Sequence, residues 1–236
     1  MPSRMSVNDM VLVQGMKDTR LALARWQREP GRALGPWMAL SLVIAVGLLT
    51  AVYIVARLSP PDPTLLRIPG YYEPATAGDF GYILIRNGLV LALHSLACVA
   101  GFIAGSALPL SASQRSGFSR WLHEKAGPLA IAFVAAATIF SLSTQGYVIG
   151  GNASTIALQV GLTPGELVLT LLPHALPELF ALFLPLAAWI IASRRDEWHD
   201  LLAATFVTTA IAVPLLVGSA AVELYVSPEL LRLVAG

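Results

Sequence analysis

His174 and Glu178 stand four residues apart in the stretch 170–191, TLLPHALPELFALFLPLAAWII, which is otherwise almost wholly apolar. Four residues is about one helical turn, so both side chains share a helix face and reach each other. Such a pair can carry a proton, hold an ion, contact a substrate, or pin one helix to its neighbours. Ionisable groups inside a long apolar segment normally face a protein interior and mark one of these roles. Pro173 and Pro177 flank the pair, and Pro185 follows. Each proline lacks an N–H and strands the carbonyl four residues back, here those of Leu169, Pro173 and Ala181. Unpaired carbonyls are costly in lipid. The segment therefore reads as a helix broken by its prolines, with Pro173, His174, Pro177 and Glu178 on one inward-facing polar locus. His94 and Gln145 are the other polar candidates inside apolar runs. Two histidines and a glutamate can ligate zinc, but no HExxH and no close His spacing supports a metal, and none is assigned. The chain has no Gly-rich phosphate loop and no GxSxG. With no nucleophile–base pair either, no catalytic residue or cofactor is assigned, and an enzyme is not expected.

Elements that cross a membrane must position these residues. The chain is 236 residues long, 56% hydrophobic and 12% charged, whereas a soluble domain carries about 25% charged residues. Asp, Glu, Lys and Arg are missing from Trp37 to Ala56, Gly88 to Leu110, Ala126 to Ile149 and Leu201 to Val222. Leu167 to Ser193 holds Glu178 alone. Each stretch has the roughly 20 residues that a spanning helix needs. The spacing predicts an all-α polytopic membrane protein with five spans, near 36–56, 88–110, 126–149, 166–192 and 201–222. The first is too long for a signal-peptide h-region and follows a long basic segment. Eleven Lys and Arg lie before span one, after span two and after span four, against four on the opposite side. The positive-inside rule then puts the N-terminus in the cytoplasm and the C-terminus outside. At a rise of about 1.5 Å per residue, His174 lies about 13 Å and Glu178 about 20 Å below the outer end of span four. His94, about 10 Å below the outer end of span two on the same rise, reaches a similar depth. Gln145, near the outer end of span three, can join the same cluster.

Residues 1–35 form a basic cytoplasmic tail, and within them 7–28 mix apolar positions such as Val11, Leu21 and Trp26 with six charges. That pattern predicts an amphipathic helix lying on the inner leaflet with arginines toward anionic headgroups. Gly15 weakens it, and REPGRALGP ends it before span one. The Pro- and Tyr-rich loop after span one reads as an ordered, turn-rich excursion. STIALQVGL, after span three, reads as a short helix in the outer leaflet. Residues 223–236 read as an extracytoplasmic C-terminal tail, and 36–222 as the membrane domain. Gly101 and Gly105 form a GxxxG pair, which lets helices approach closely either within the chain or in a homodimer. Cys98, the only cysteine, excludes an internal disulfide and reads as a small apolar filler. The net charge of +1 gives no ground for a nucleic-acid partner.

LLPHALPELFALFLPLAAWIIAS resembles the Pro-His-Gly…Glu…Ala signature of the stage II sporulation protein M family of integral membrane proteins. IRNGLVLALHSLACVAGFIAG is similar to that family's Asn-led second helix, and TQGYVIGG to its Asn-Gly helix end. Matching positions are Asn87, Gly146, Pro173, His174, Glu178 and Ala181, while Ala175, Gln145 and Trp189 depart from the pattern. The resemblance covers about residues 80–195 and adds Asn87 to the candidate polar locus. It implies a non-enzymatic scaffold or partner subunit of a cell-envelope complex, working beside a peptidoglycan hydrolase. The alternative is a permease-like subunit of a transporter, with hydrolysis supplied by a separate ATPase. The partners expected are the bilayer, other membrane or envelope proteins and a second copy of the chain, in a bacterial inner membrane.

Overall fold

A computed structural model describes residues 11–107 and 117–236, with side chains except those of 11–14, 106–107, 117–127 and 130. The start of the basic tail (1–10), the end of the second expected span and the first part of the loop after it (108–116) lie outside the described residues. The described chain is helical and has no strand: α1 (Val11–Arg28), α2 (Pro30–Leu58), α3 (Ala77–Phe102), α4 (Gly117–Val160), α5 (Pro164–Arg195), α6 (Leu201–Tyr225) and α7 (Ser227–Ala235). Five segments are long and apolar enough to cross a membrane: Pro30–Leu58, Ala77–Gly105, Ile131–Val160, Pro164–Arg195 and Trp198–Ala235. The protein is an all-α, multi-pass membrane protein. Large apolar side chains such as Val43, Leu89, Phe133, Phe140 and Phe206 are exposed, and in a bilayer they contact lipid.

Local chemistry sets several helix ends. Glu29 is a single bend between α1 and α2, and its carbonyl accepts from the amides of Arg32 and Ala33. Pro30 then opens α2, where a missing N–H costs nothing. Thr163 and Glu166 form a capping box at the start of α5. The Thr163 amide and hydroxyl both donate to Glu166 Oε2 at 2.8 Å, and the Glu166 amide donates to Thr163 Oγ1 at 3.3 Å. Thr76 and Asp79 repeat the device at the start of α3.

Three expectations are corrected. The prolines do not break α5, which is helical without interruption from Pro164 to Arg195. Each removes one hydrogen bond, and the bonds on either side hold the helix. STIALQVGL is no separate leaflet helix but the last turns of α4. Residues 223–236 are no loose tail: α6 runs on to Tyr225, and α7 buries Ser227, Pro228 and Leu231.

The chain divides into two compact units, each with its own core. One comprises the described part of Met1–Leu40, Ala92–Ala136 and Leu184–Ala210. There Trp37, Ala188 and Ala204 are buried together, with Trp26, Leu34, Ile191 and Val207 against them. Gly15 is buried, with 3.0 Å from a Cβ there to Leu202 and Phe102, so the residue expected to weaken α1 is a point of close packing. The Cys98 thiol donates to the Pro185 carbonyl at 3.1 Å.

The other unit comprises Ser41–Leu91, Ala137–Phe183 and Ile211–Gly236. Its core joins Leu91, Ala181, Leu182, Ala212 and Leu216. The loop after α2 is ordered, as expected, because side chains supply its backbone partners. Gln159 at the end of α4 accepts from the Leu66 amide at 2.9 Å and donates to the Leu66 carbonyl at 2.8 Å. Arg232 of α7 donates to the carbonyls of Gly70 and Tyr71, each at 2.6 Å. Gly70 has φ +79, and any Cβ there would stand 2.5 Å from the Leu224 carbonyl oxygen, so only glycine fits.

Candidate functional site

The second unit holds a cavity of about 190 Å³ whose polar lining is Arg86, Asn87, His174, Glu178 and Glu223. α3 supplies Arg86 and Asn87 about two turns in from its N-terminus. α5 supplies His174 and Glu178 from one face, as their spacing demands. α6 supplies Glu223 near its C-terminus. Leu48, Val52, Leu167, Leu171 and Leu179 make up much of the apolar wall.

Within this chamber the groups fall into two pairings. Glu178 interacts electrostatically with Glu223 and Arg86, and its carboxylate faces the Asn87 amide. Arg86 also acts on Glu223. Two carboxylates thus share one guanidinium, which leaves one negative charge uncompensated when all three groups are ionised. Asn87 is 6% exposed, and its Nδ2 has no partner at hydrogen-bond distance among the described residues. A buried donor left so is normally satisfied by something bound, water included. His174, by contrast, is held: its Nδ1 lies 2.7 Å from Ser227 Oγ, and both residues are buried. His174 therefore ties α5 to the start of α7. Ser227→Ala should destabilise the protein by about 1–3 kcal/mol, because it leaves the imidazole nitrogen buried without its partner. Thermal unfolding in detergent measures this, and an unchanged midpoint would dismiss the anchor.

The expected site residues separate accordingly. Asn87, His174 and Glu178 converge on the chamber. Pro173 is exposed and Pro177 half-buried, because each residue turns about 100° from the one before. Their stripe lies beside the His174–Glu178 stripe, not on it, so the single inward-facing locus is corrected to two adjacent stripes. Gln145 does not join either: its amide donates to Ser141 Oγ one turn earlier, at 3.0 Å, and it does not line the chamber. His94 is buried in the first unit and is no lining residue.

No protein-family model, curated protein or solved structure matches the chain. The chamber must therefore be read from its own chemistry. Arg86 and Glu223 are the functional candidates that sequence reasoning missed. Arg86 precedes the apolar run of span two and counted only as a loop charge. Glu223 follows the apolar run of span five and was assigned to the tail. The signal for both was helical continuity past the last apolar residue. No group of three or more His, Cys, Asp or Glu suited to a metal occurs among the described residues.

Proposed function

We propose that this protein is a non-enzymatic membrane subunit of a cell-envelope complex, and that its working part is the Arg86–Glu178–Glu223 chamber. The alternative, a permease-like subunit of a transporter, is favoured over a pure scaffold by one observation. Two carboxylates and one guanidinium line one cavity between the helices, and structural pinning alone does not require that cavity. Its volume of about 190 Å³ has room for about six waters and is smaller than the 300–1,000 Å³ of typical ligand pockets. A proton or a small monovalent cation fits that space, and either supplies the single positive charge that the three groups lack. The scaffold reading draws its support from the resemblance to the stage II sporulation protein M family. The cell membrane, a cytoplasmic N-terminus and an outer C-terminus belong to the same proposal, supported by the Lys/Arg asymmetry.

Two experiments test it. Purification from native membranes should bring down an ATPase or another energy-coupling subunit, whereas a peptidoglycan hydrolase in its place would establish the scaffold. For topology, Leu65 is 81% exposed and Arg194 is exposed. An impermeant thiol reagent on whole cells should label Leu65→Cys and spare Arg194→Cys, and the reverse pattern would invert the orientation.

A further inference from the structure

The first unit carries a second cavity, of about 570 Å³, where α1 meets α2 and where α5 ends and α6 begins. Four arginines line it: Arg25, Arg28, Arg32 and Arg195. Asp200 holds Arg25, and Glu29 holds Arg32 at 3.2 Å. Arg28 and Arg195 have no such carboxylate among the described residues. With Glu197 also in the lining, four guanidiniums face three carboxylates and one positive charge remains. The floor is apolar: Trp37, Ala188, Ala192 and Ala204. Trp26 stands edge-on to Trp37 with ring centroids 5.0 Å apart. Three of the apolar spans begin or end here, so the groove sits at a membrane–water boundary, where tryptophan concentrates.

A basic mouth above an apolar, Trp-walled floor matches an amphiphile with one negative charge. We infer that this groove binds an anionic phospholipid, its phosphodiester between Arg28 and Arg195 and one acyl chain along Trp37 and the alanines. Arginine at a helix C-terminus also neutralises exposed carbonyls, and α1 and α5 both end in arginine. That role does not require the two arginines to converge on one cavity from positions 28 and 195. The site is independent of the chamber, and it stands or falls separately.

The test uses the full chain in mixed micelles of phosphatidylglycerol and phosphatidylcholine at equal mole fraction, read by native mass spectrometry. One phosphatidylglycerol per chain should be retained in preference to phosphatidylcholine. Arg28→Gln combined with Arg195→Gln should weaken retention about thirtyfold, from roughly one surface-arginine contribution each. Arg20→Gln is the control, since Arg20 is exposed on α1 and does not line the groove. Equal retention of the two lipids, parent-like retention in the double variant, or an equal loss with Arg20→Gln would each overturn the site. Displacement of the lipid by millimolar inorganic phosphate would overturn the lipid as occupant. Should the double variant fail to fold, brominated-acyl lipids decide on the parent chain. Phosphatidylglycerol should quench tryptophan emission more than phosphatidylcholine does, and equal quenching overturns the proposal.

Discussion

Glu178→Gln should fold and insert like the parent chain and lose proton or cation flux entirely. Glutamine keeps the shape of the side chain and an acceptor oxygen for Asn87, so the contacts that organise the chamber survive. It cannot exchange a proton and brings no charge, so Arg86 is then balanced by Glu223 alone and nothing draws a cation in. Glu178→Leu also removes the polar head that faces Asn87 and Arg86 and should cost about 1–2 kcal/mol of stability. The pair of variants therefore separates the two roles that the sequence left open. Flux is measured in proteoliposomes holding the chain with the partners that co-purify, and stability by thermal unfolding of the same preparations. A glutamine variant with parent-like flux would end the ion-handling proposal and leave Glu178 as a structural residue. Parent-like stability and flux in both variants would remove Glu178 from either role.

Gly105→Leu should destabilise the chain by about 1–3 kcal/mol or more, the usual cost of forcing methylenes into a filled space. A Cβ on Gly105 would run into the ring of Trp198, and one on Gly101 would stand 2.8 Å from both Leu201 and Trp189 Nε1. Both glycines of the GxxxG pair are thus covered by this chain's own side chains. The packing found is the intrachain alternative. Gly88→Ala and Gly218→Ala are the controls, because nothing lies within 4 Å of a Cβ at either site. Alanine there should be neutral or gain up to about 0.5–1 kcal/mol of helix stability. Thermal midpoints, together with the mass of the solubilised particle, report the outcome. A Gly105→Leu variant of parent stability but reduced mass would return the pair to an intermolecular role.

What the sequence determined alone was whatever lipid or the helix itself imposes one residue at a time. A bilayer demands about 20 apolar residues per crossing, so the five spans are legible as gaps between charges. Helical pitch placed His174 and Glu178 on one face without any structure. Thr163 with Glu166 could be read as a helix start, since both partners of a capping box lie within one turn. Tertiary structure decided everything that depends on which helices meet. Gln145 looked like a member of the polar cluster, yet it satisfies its amide on its own helix. Arg86 and Glu223 looked like loop and tail charges, because a charge at the rim of an apolar run ends a hydropathy span whether or not the helix continues. Only the packing of α3, α5 and α6 brings them onto Glu178. Arg28 and Arg195 likewise read as orientation signals, and their convergence on one groove follows from how α1 packs beside the end of α5. Sequence records the period of a helix, but the neighbour across from a given face is fixed by the fit of side-chain shapes such as Trp198 on Gly105, which periodicity does not encode.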